Sequence, residues 1–167
     1  MHNFRIYLEN IPGRANNSFT ISVNDCIIGK YTLDNNLIEF DCELAAGWNN
    51  LKIAFNRRTP DASVKIDEVY IDKSAMKYLL NDFGQVVPNW PNEPMLKKWY
   101  VDHEGQAPDC FPKRKVLDMS GTYEFRFQTP LRQFLEEFYQ IPEHYKRQYN
   151  QPLEHYSKLE NILNAKN

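Results

Sequence analysis

Three groups of residues in this chain are of types that could do chemistry: strand carboxylates, exposed rings and clustered amides. Asp67, Glu68 and Asp72 lie in one candidate strand, Val64 to Asp72, and at its end. Strand alternation sends Asp67 and Glu68 to opposite sides of a sheet, which excludes paired acid–base work. Asp72, with loop oxygens from Asp61 or Asn56, offers the hard ligands that calcium takes. The same carboxylates serve equally as solvent-facing strand residues and a strand-end cap, and no D-x-D-x-D-G loop accompanies them. The rings are Trp48, near a turn, and Trp90, Trp99 and Tyr100 further on. A ring flanked by amides such as Asn49, Asn50 and Asn56 can stack on the apolar face of a sugar while the amides bond its polar rim. The alternative is that these rings anchor loops onto the core.

Nothing else in the chain forms a catalytic constellation. There is no G-x-S-x-G, no H-E-x-x-H and no ordered Cys/His pair. Only 6 glycines occur, too few for a phosphate-cradling loop. The expectation is a protein that is not an enzyme and needs no cofactor. Cys26, Cys42 and Cys110 lack C-x-x-C spacing and read as reduced thiols, and the scattered histidines do not make a zinc site. A net charge of -2 argues against a nucleic-acid backbone as partner, and Lys113-Arg114-Lys115 reads as a solvated loop. No apolar run approaches the ~20 residues that span a bilayer. Met1 to Arg5 lacks a secretory pattern, so synthesis in the cytoplasm is expected.

The elements that must position these residues are mostly strands. Apolar and polar residues alternate in Asn3–Glu9, Ser18–Val23, Cys26–Leu33, Leu37–Leu44, Leu51–Asn56 and Val64–Asp72. Asn24-Asp25, Asp34-Asn35-Asn36 and Ala46–Asn50 are corners, the first of a kind that tolerates positive φ. Short strands at roughly 8–12-residue spacing imply a jelly-roll-like antiparallel β-sandwich, mainly β, over residues 1–84. Ser74–Phe83 reads as a short helix with Ser74 as its cap and Met76, Leu79 and Leu80 as its apolar side.

Residues 85–128 hold Pro88, Pro91, Pro94, Pro108 and Pro112 among Trp90, Trp99 and Tyr100. They read as an extended Pro/Trp-rich connection, laid across the sandwich and pinned by its tryptophans, that returns to a sheet strand at Gly121–Gln128. There Tyr123, Phe125 and Phe127 share one face. Thr129-Pro130 then opens a helix, with Thr129 as N-cap and Leu131, Phe134, Leu135 and Phe138 as its stripe. Residues 129–167 form a C-terminal arm of α-helices. Its last helix carries Leu153, Tyr156, Leu159, Ile162 and Leu163 on one side, a stripe that either packs on its own domain or docks onto another chain.

Two stretches resemble known families. Leu44 to Asn56, followed by Val64 to Asp72, is similar to small jelly-roll carbohydrate-binding modules of the calcium-dependent xylan-binding type, although Lys73 stands where those modules carry glycine. Such a sandwich followed by Gly121 to Leu135 resembles virion proteins of contractile-tailed bacteriophages, over residues 1–138. The second resemblance implies a non-enzymatic structural or assembly component of the virion, made in the host cytoplasm. Its partners would be other virion proteins, with many copies per particle. The first implies a surface-glycan binder, with or without calcium.

Overall fold

The computed structural model describes residues 1–139 apart from 12–17, 33–35, 58, 60–61 and 78. The expected sandwich is present. Strands β1 (His2–Ile11), β2 (Ser18–Val23), β3 (Cys26–Thr32), β4 (Leu37–Cys42), β5 (Gly47–Phe55) and β6 (Ser63–Ile71) follow the alternating runs, except that β5 begins at Gly47, so Gly47–Asn50, read as part of a corner, are strand. They are joined by β7 (Ser74–Ala75), β8 (Gly84–Pro88), β9 (Phe111–Pro112), β10 (Val116–Leu117) and β11 (Gly121–Thr129). One antiparallel sheet has the order β10-β6-β1-β4, with β7 on β6; the second runs β3-β2-β5-β11-β8-β9.

Alternation decides which face of each sheet turns inward. Phe4, Ile6, Ile38, Phe40, Val64 and Ile71 from the first sheet meet Phe19, Ile21, Leu51, Ile53, Phe125 and Phe127 from the second, all of them buried. Phe4 stacks on its neighbour Phe40 within the first sheet at 4.9 Å and tilts across the layers against Phe127 at 6.1 Å. Asn24 and Asp25 both have positive φ, so β2 and β3 are joined by the two-residue hairpin that their types favour.

The structure departs from the sequence reading in four further places. A bulge shifts the β1–β6 register between Tyr7 and Leu8. Asp67 and Glu68 therefore sit together between buried Ile66 and Val69, neither of them in the core, rather than on opposite faces. Ser74 does not cap a helix. Asp72 and Lys73, at φ 51° and 69°, turn the chain back so that Ser74–Ala75 pair with Tyr70 and Ile71. Helix α1 is only Leu79–Asp82, but Met76, Leu79 and Leu80 are buried as the stripe requires.

Third, the segment read as an extended connection begins in the sheet, as strand β8 between β11 and β9, and contains helix α2, Pro94–Glu104. Proline is tolerated in a first helical turn, where its missing N–H has no partner to lose, and no further proline occurs before Pro108. Gly105 ends the helix at φ 82°. Fourth, helix α3 is Leu131–Phe138 and buries Leu131, Phe134 and Leu135, but Thr129 is not its N-cap. The Thr129–Pro130 bond is cis, and the Thr129 hydroxyl donates to Ala45 O at 2.5 Å.

One buried ion pair holds α2 to the sandwich. Glu93, just before the helix, is 5% exposed. It takes a two-pronged contact from Arg57, with Arg57 Nε at 2.6 Å, and accepts the Ser120 N–H at 2.7 Å. Burial alone would raise the Glu93 pKa, but these donors outweigh it and hold the carboxyl below its usual value. A depressed folded pKa means the stabilisation is complete above the unfolded value of ~4.3 and fades as pH falls through the lower folded value. Glu93→Ala should therefore cost about 3 kcal/mol in urea unfolding at pH 7. The gap to the unmutated chain should narrow as the pH is lowered below 4; a gap independent of pH would contradict the pairing.

Candidate functional site

A single buried side chain governs the end of β5. Asn49 is 2% exposed, and both ends of its amide are used. Asn24 Nδ2 donates to Asn49 Oδ1 at 2.7 Å, and the Ala45 N–H reaches the same oxygen at 3.2 Å. Asn49 Nδ2 donates to Ala45 O and Gly47 O, each at 2.9 Å. It also lies 3.2 Å from Thr129 Oγ1. Asn49 thus ties together the β2–β3 turn, the loop before β5 and the end of β11. Asn49 is consequently withdrawn from any sugar-bonding role. Asn56 lies at the far end of β5, where it accepts from Asn92 Nδ2 at 2.9 Å.

With Asn49 facing inward, strand alternation sends Trp48 outward, and it is 48% exposed. Phe83 and Phe134 hold one side of the indole at centroid distances of 6.2 and 6.0 Å. The Arg126 guanidinium lies 5.0 Å from the ring centroid. Around these groups is a cleft of about 320 Å³ lined by Trp48, Asp82, Phe83, Gly84, Gln85, Pro112, Glu124 and Arg126. Its apolar wall is Trp48, Phe83 and Pro112, and its floor is polar.

The floor is ordered by a ladder across three strands and a turn. Lys52 donates to Asp25 at 2.6 Å and lies 3.7 Å from Glu124, while Gln85 Nε2 donates to the other Glu124 oxygen at 3.1 Å. The Asp25 hydrogen bond pushes the Lys52 pKa up from the usual lysine value, so Lys52 stays charged. Gly84 is required at the cleft wall, because a Cβ there would collide with the Leu80 carbonyl and the Tyr123 hydroxyl. Burial pushes the Tyr123 pKa upward, which keeps that hydroxyl protonated to donate to Leu80 O at 3.2 Å.

The other sequence candidates lie elsewhere. Trp90 and Tyr100 pack on each other and on Phe111, and the Trp90 indole N–H donates to Pro108 O at 3.0 Å. They anchor α2. Trp99, half-exposed on α2, stacks with His103 at 4.6 Å and meets Tyr100 edge-on at 5.2 Å, so the three rings of this segment form one cluster and Trp48, packed on Phe83 and Phe134, stands apart from it. Asp72 contacts the His2 ring and accepts the Asn3 N–H at 2.9 Å, which pins the start of β1 to the β6–β7 turn. Asp61, its proposed calcium partner, and Leu153, Tyr156, Leu159, Ile162 and Leu163 lie outside the described residues. Sequence reading did not single out Gln85, Glu124 or Arg126. Their alternation marks them as outward-facing, but only the β5–β11–β8 pairing brings them beside Trp48.

No protein-family model matches this chain, and no curated protein sequence matches it. Among solved structures it is similar to vCBM60 in complex with galactobiose, at 12% identity and a TM-score of 0.49, over 74% of this chain and 96% of that one. It is also similar to the selenomethionine form of vCBM60, reported with a circular permutation linking two families of calcium-dependent carbohydrate binding modules. That match is at 12% identity and a TM-score of 0.50, over 75% of this chain and 90% of the other. The fold is therefore a β-sandwich of the kind carbohydrate-binding modules use.

Asn49→Ala removes the acceptor of the Asn24 amide N–H and of the Ala45 N–H, and one of the donors to the Ala45 and Gly47 carbonyls. It should lower the unfolding free energy by about 3 kcal/mol. Asn56→Ala, at an exposed amide, should stay within about 0.5 kcal/mol of the unmutated chain. Equal losses in chemical denaturation would remove Asn49 from this central role.

Proposed function

We propose that this chain is a non-catalytic binding module that holds a carbohydrate against Trp48 on the outer face of the second sheet. The observation that carries the reading is the cleft. An indole held in place by Phe83 and Phe134 presents an apolar surface beside an amide, two carboxylates and a guanidinium. This matches a sugar ring, whose C–H face is apolar and whose rim needs both donors and acceptors. The floor groups are fixed by the Asp25–Lys52–Glu124–Gln85 ladder, so little side-chain entropy is lost on binding. The sandwich shared with vCBM60, a carbohydrate-binding module, supports the same reading.

That neighbour is grouped with calcium-dependent modules, and the described residues here do not fit the ion. Asp72 is committed to Asn3 and His2, and no group of three or more His, Cys, Asp or Glu that could hold a metal occurs among the described residues. The cleft at Trp48 works through ring and side-chain contacts instead.

A second reading is favoured by α2, none of whose residues is buried and which exposes Met95, Trp99 and Val101. Under it the chain is an accessory component of a bacteriophage particle. It would contact other virion proteins through α2 and the segment 141–167. Capsid, tail or baseplate genes beside its own gene would support that reading, and normal incorporation of a chain truncated after residue 140 would count against it.

A glycan array, run with calcium and again with a chelator, tests the first reading. Binding should survive chelation, disappear in Trp48→Ala and persist in Trp99→Ala, with the fold of each variant checked by circular dichroism. A flat array, or binding lost only in Trp99→Ala, would overturn it.

A further inference from the structure

The outer face of the second sheet carries another cleft, at the opposite end of the same strands. It has a volume of about 280 Å³, and Thr20, Lys30, Ala54, Asn56, Asn89 and Thr122 contribute to its lining. Thr20, Ala54 and Thr122 stand side by side across β2, β5 and β11, because the registers pair Thr20 with Ala54 and Ala54 with Thr122. Trp48 and Ala54 lie on the same strand, so the two clefts are separated by roughly 20 Å at about 3.3 Å per residue.

The surface between them along β5 and β11 is polar. Its outward residues are Asn50, Lys52, Glu124 and Arg126, with Gln85 beside Glu124 on β8 and Ser22 beside Lys52 on β2. The large apolar side chain in these rows, Ile27 at 73% exposure, stands to one side on β3. The far cleft offers hydroxyls, amides and an ammonium but no exposed ring, so by itself it has little to hold a sugar. Joined to the Trp48 cleft, it extends one polar track along β5 and β11.

Resting on the carbohydrate reading above, we infer that the ligand is a linear oligosaccharide lying along β5 and β11. Its anchoring sugar sits on Trp48, and sugars further along the chain reach Lys30 and Asn89. The face is thereby assigned to the interior of a glycan chain rather than to a chain end or a single sugar.

Isothermal titration with paired disaccharides and hexasaccharides of β-linked xylan, galactan, mannan, glucan and polygalacturonate tests this. In a series that binds, the hexasaccharide should bind roughly tenfold or more tightly than the disaccharide. The double variant Lys30→Ala/Asn89→Ala changes two exposed side chains. It should bring the hexasaccharide back to disaccharide affinity and leave the disaccharide unchanged. Equal affinities for the two lengths would overturn the inference while leaving the Trp48 site standing. So would a length advantage that the double variant does not reduce. Failure of every series to bind would overturn both readings.

Discussion

The buried amide of Asn49 is the constraint on which the candidate site depends. A polar side chain enclosed in this way is stable only when its donors and acceptors are all met, and here they are met by three separate pieces of chain. Its inward position leaves the neighbouring ring no place but the outer face. The same bonds fix the loop before β5 and the end of β11, from which α3 departs. Ring, loop and helix are therefore positioned together, and the aromatic contacts among Trp48, Phe83 and Phe134 complete a shape that the amide begins.

The second sheet divides its chemistry by face. Along β11, Tyr123, Phe125 and Phe127 enter the core while Thr122, Glu124 and Arg126 face outward, so one strand builds both the hydrophobic layer and the polar floor. The burial of Phe125 and Phe127 holds the floor residues in register. A floor on a central strand is also stiffer than one on a loop, because its backbone bonds on both sides to β5 and β8. The Arg57–Glu93 pair extends this order outward by tying α2 to Ser120, immediately before β11 begins.

Much of the sandwich was legible because period-two alternation is a direct consequence of one buried face, as in Ser18–Val23 and Gly121–Gln128. What escaped follows from physics that alternation does not encode. The bulge opposite Tyr7 breaks the period where Asp67 and Glu68 fall. Prolines at Pro91 and Pro94 suggested an extended segment, yet a first helical turn accepts them. Asn49 looked like a surface amide because its type favours corners, and only tertiary bonding makes it a core residue. Trp48 was visible as a ring beside a turn. Its cleft partners Phe83, just before β8, Gln85 on β8, and Glu124 and Arg126 on β11 are distant in sequence, and strand order cannot be read from a single chain.

Under the proposed carbohydrate reading, Trp48 is the ligand-contacting ring while Trp90 serves the fold. The three indole N–H signals of an NMR spectrum test it most directly, with a glycan that the array identifies titrated into the protein. The Trp48 signal should shift progressively. The Trp90 signal, held by its bond to Pro108 O, should stay in place, as should that of Trp99 on α2. A shift confined to Trp99, or a titration that leaves Trp48 unmoved while the glycan binds, would place the ligand elsewhere than on Trp48.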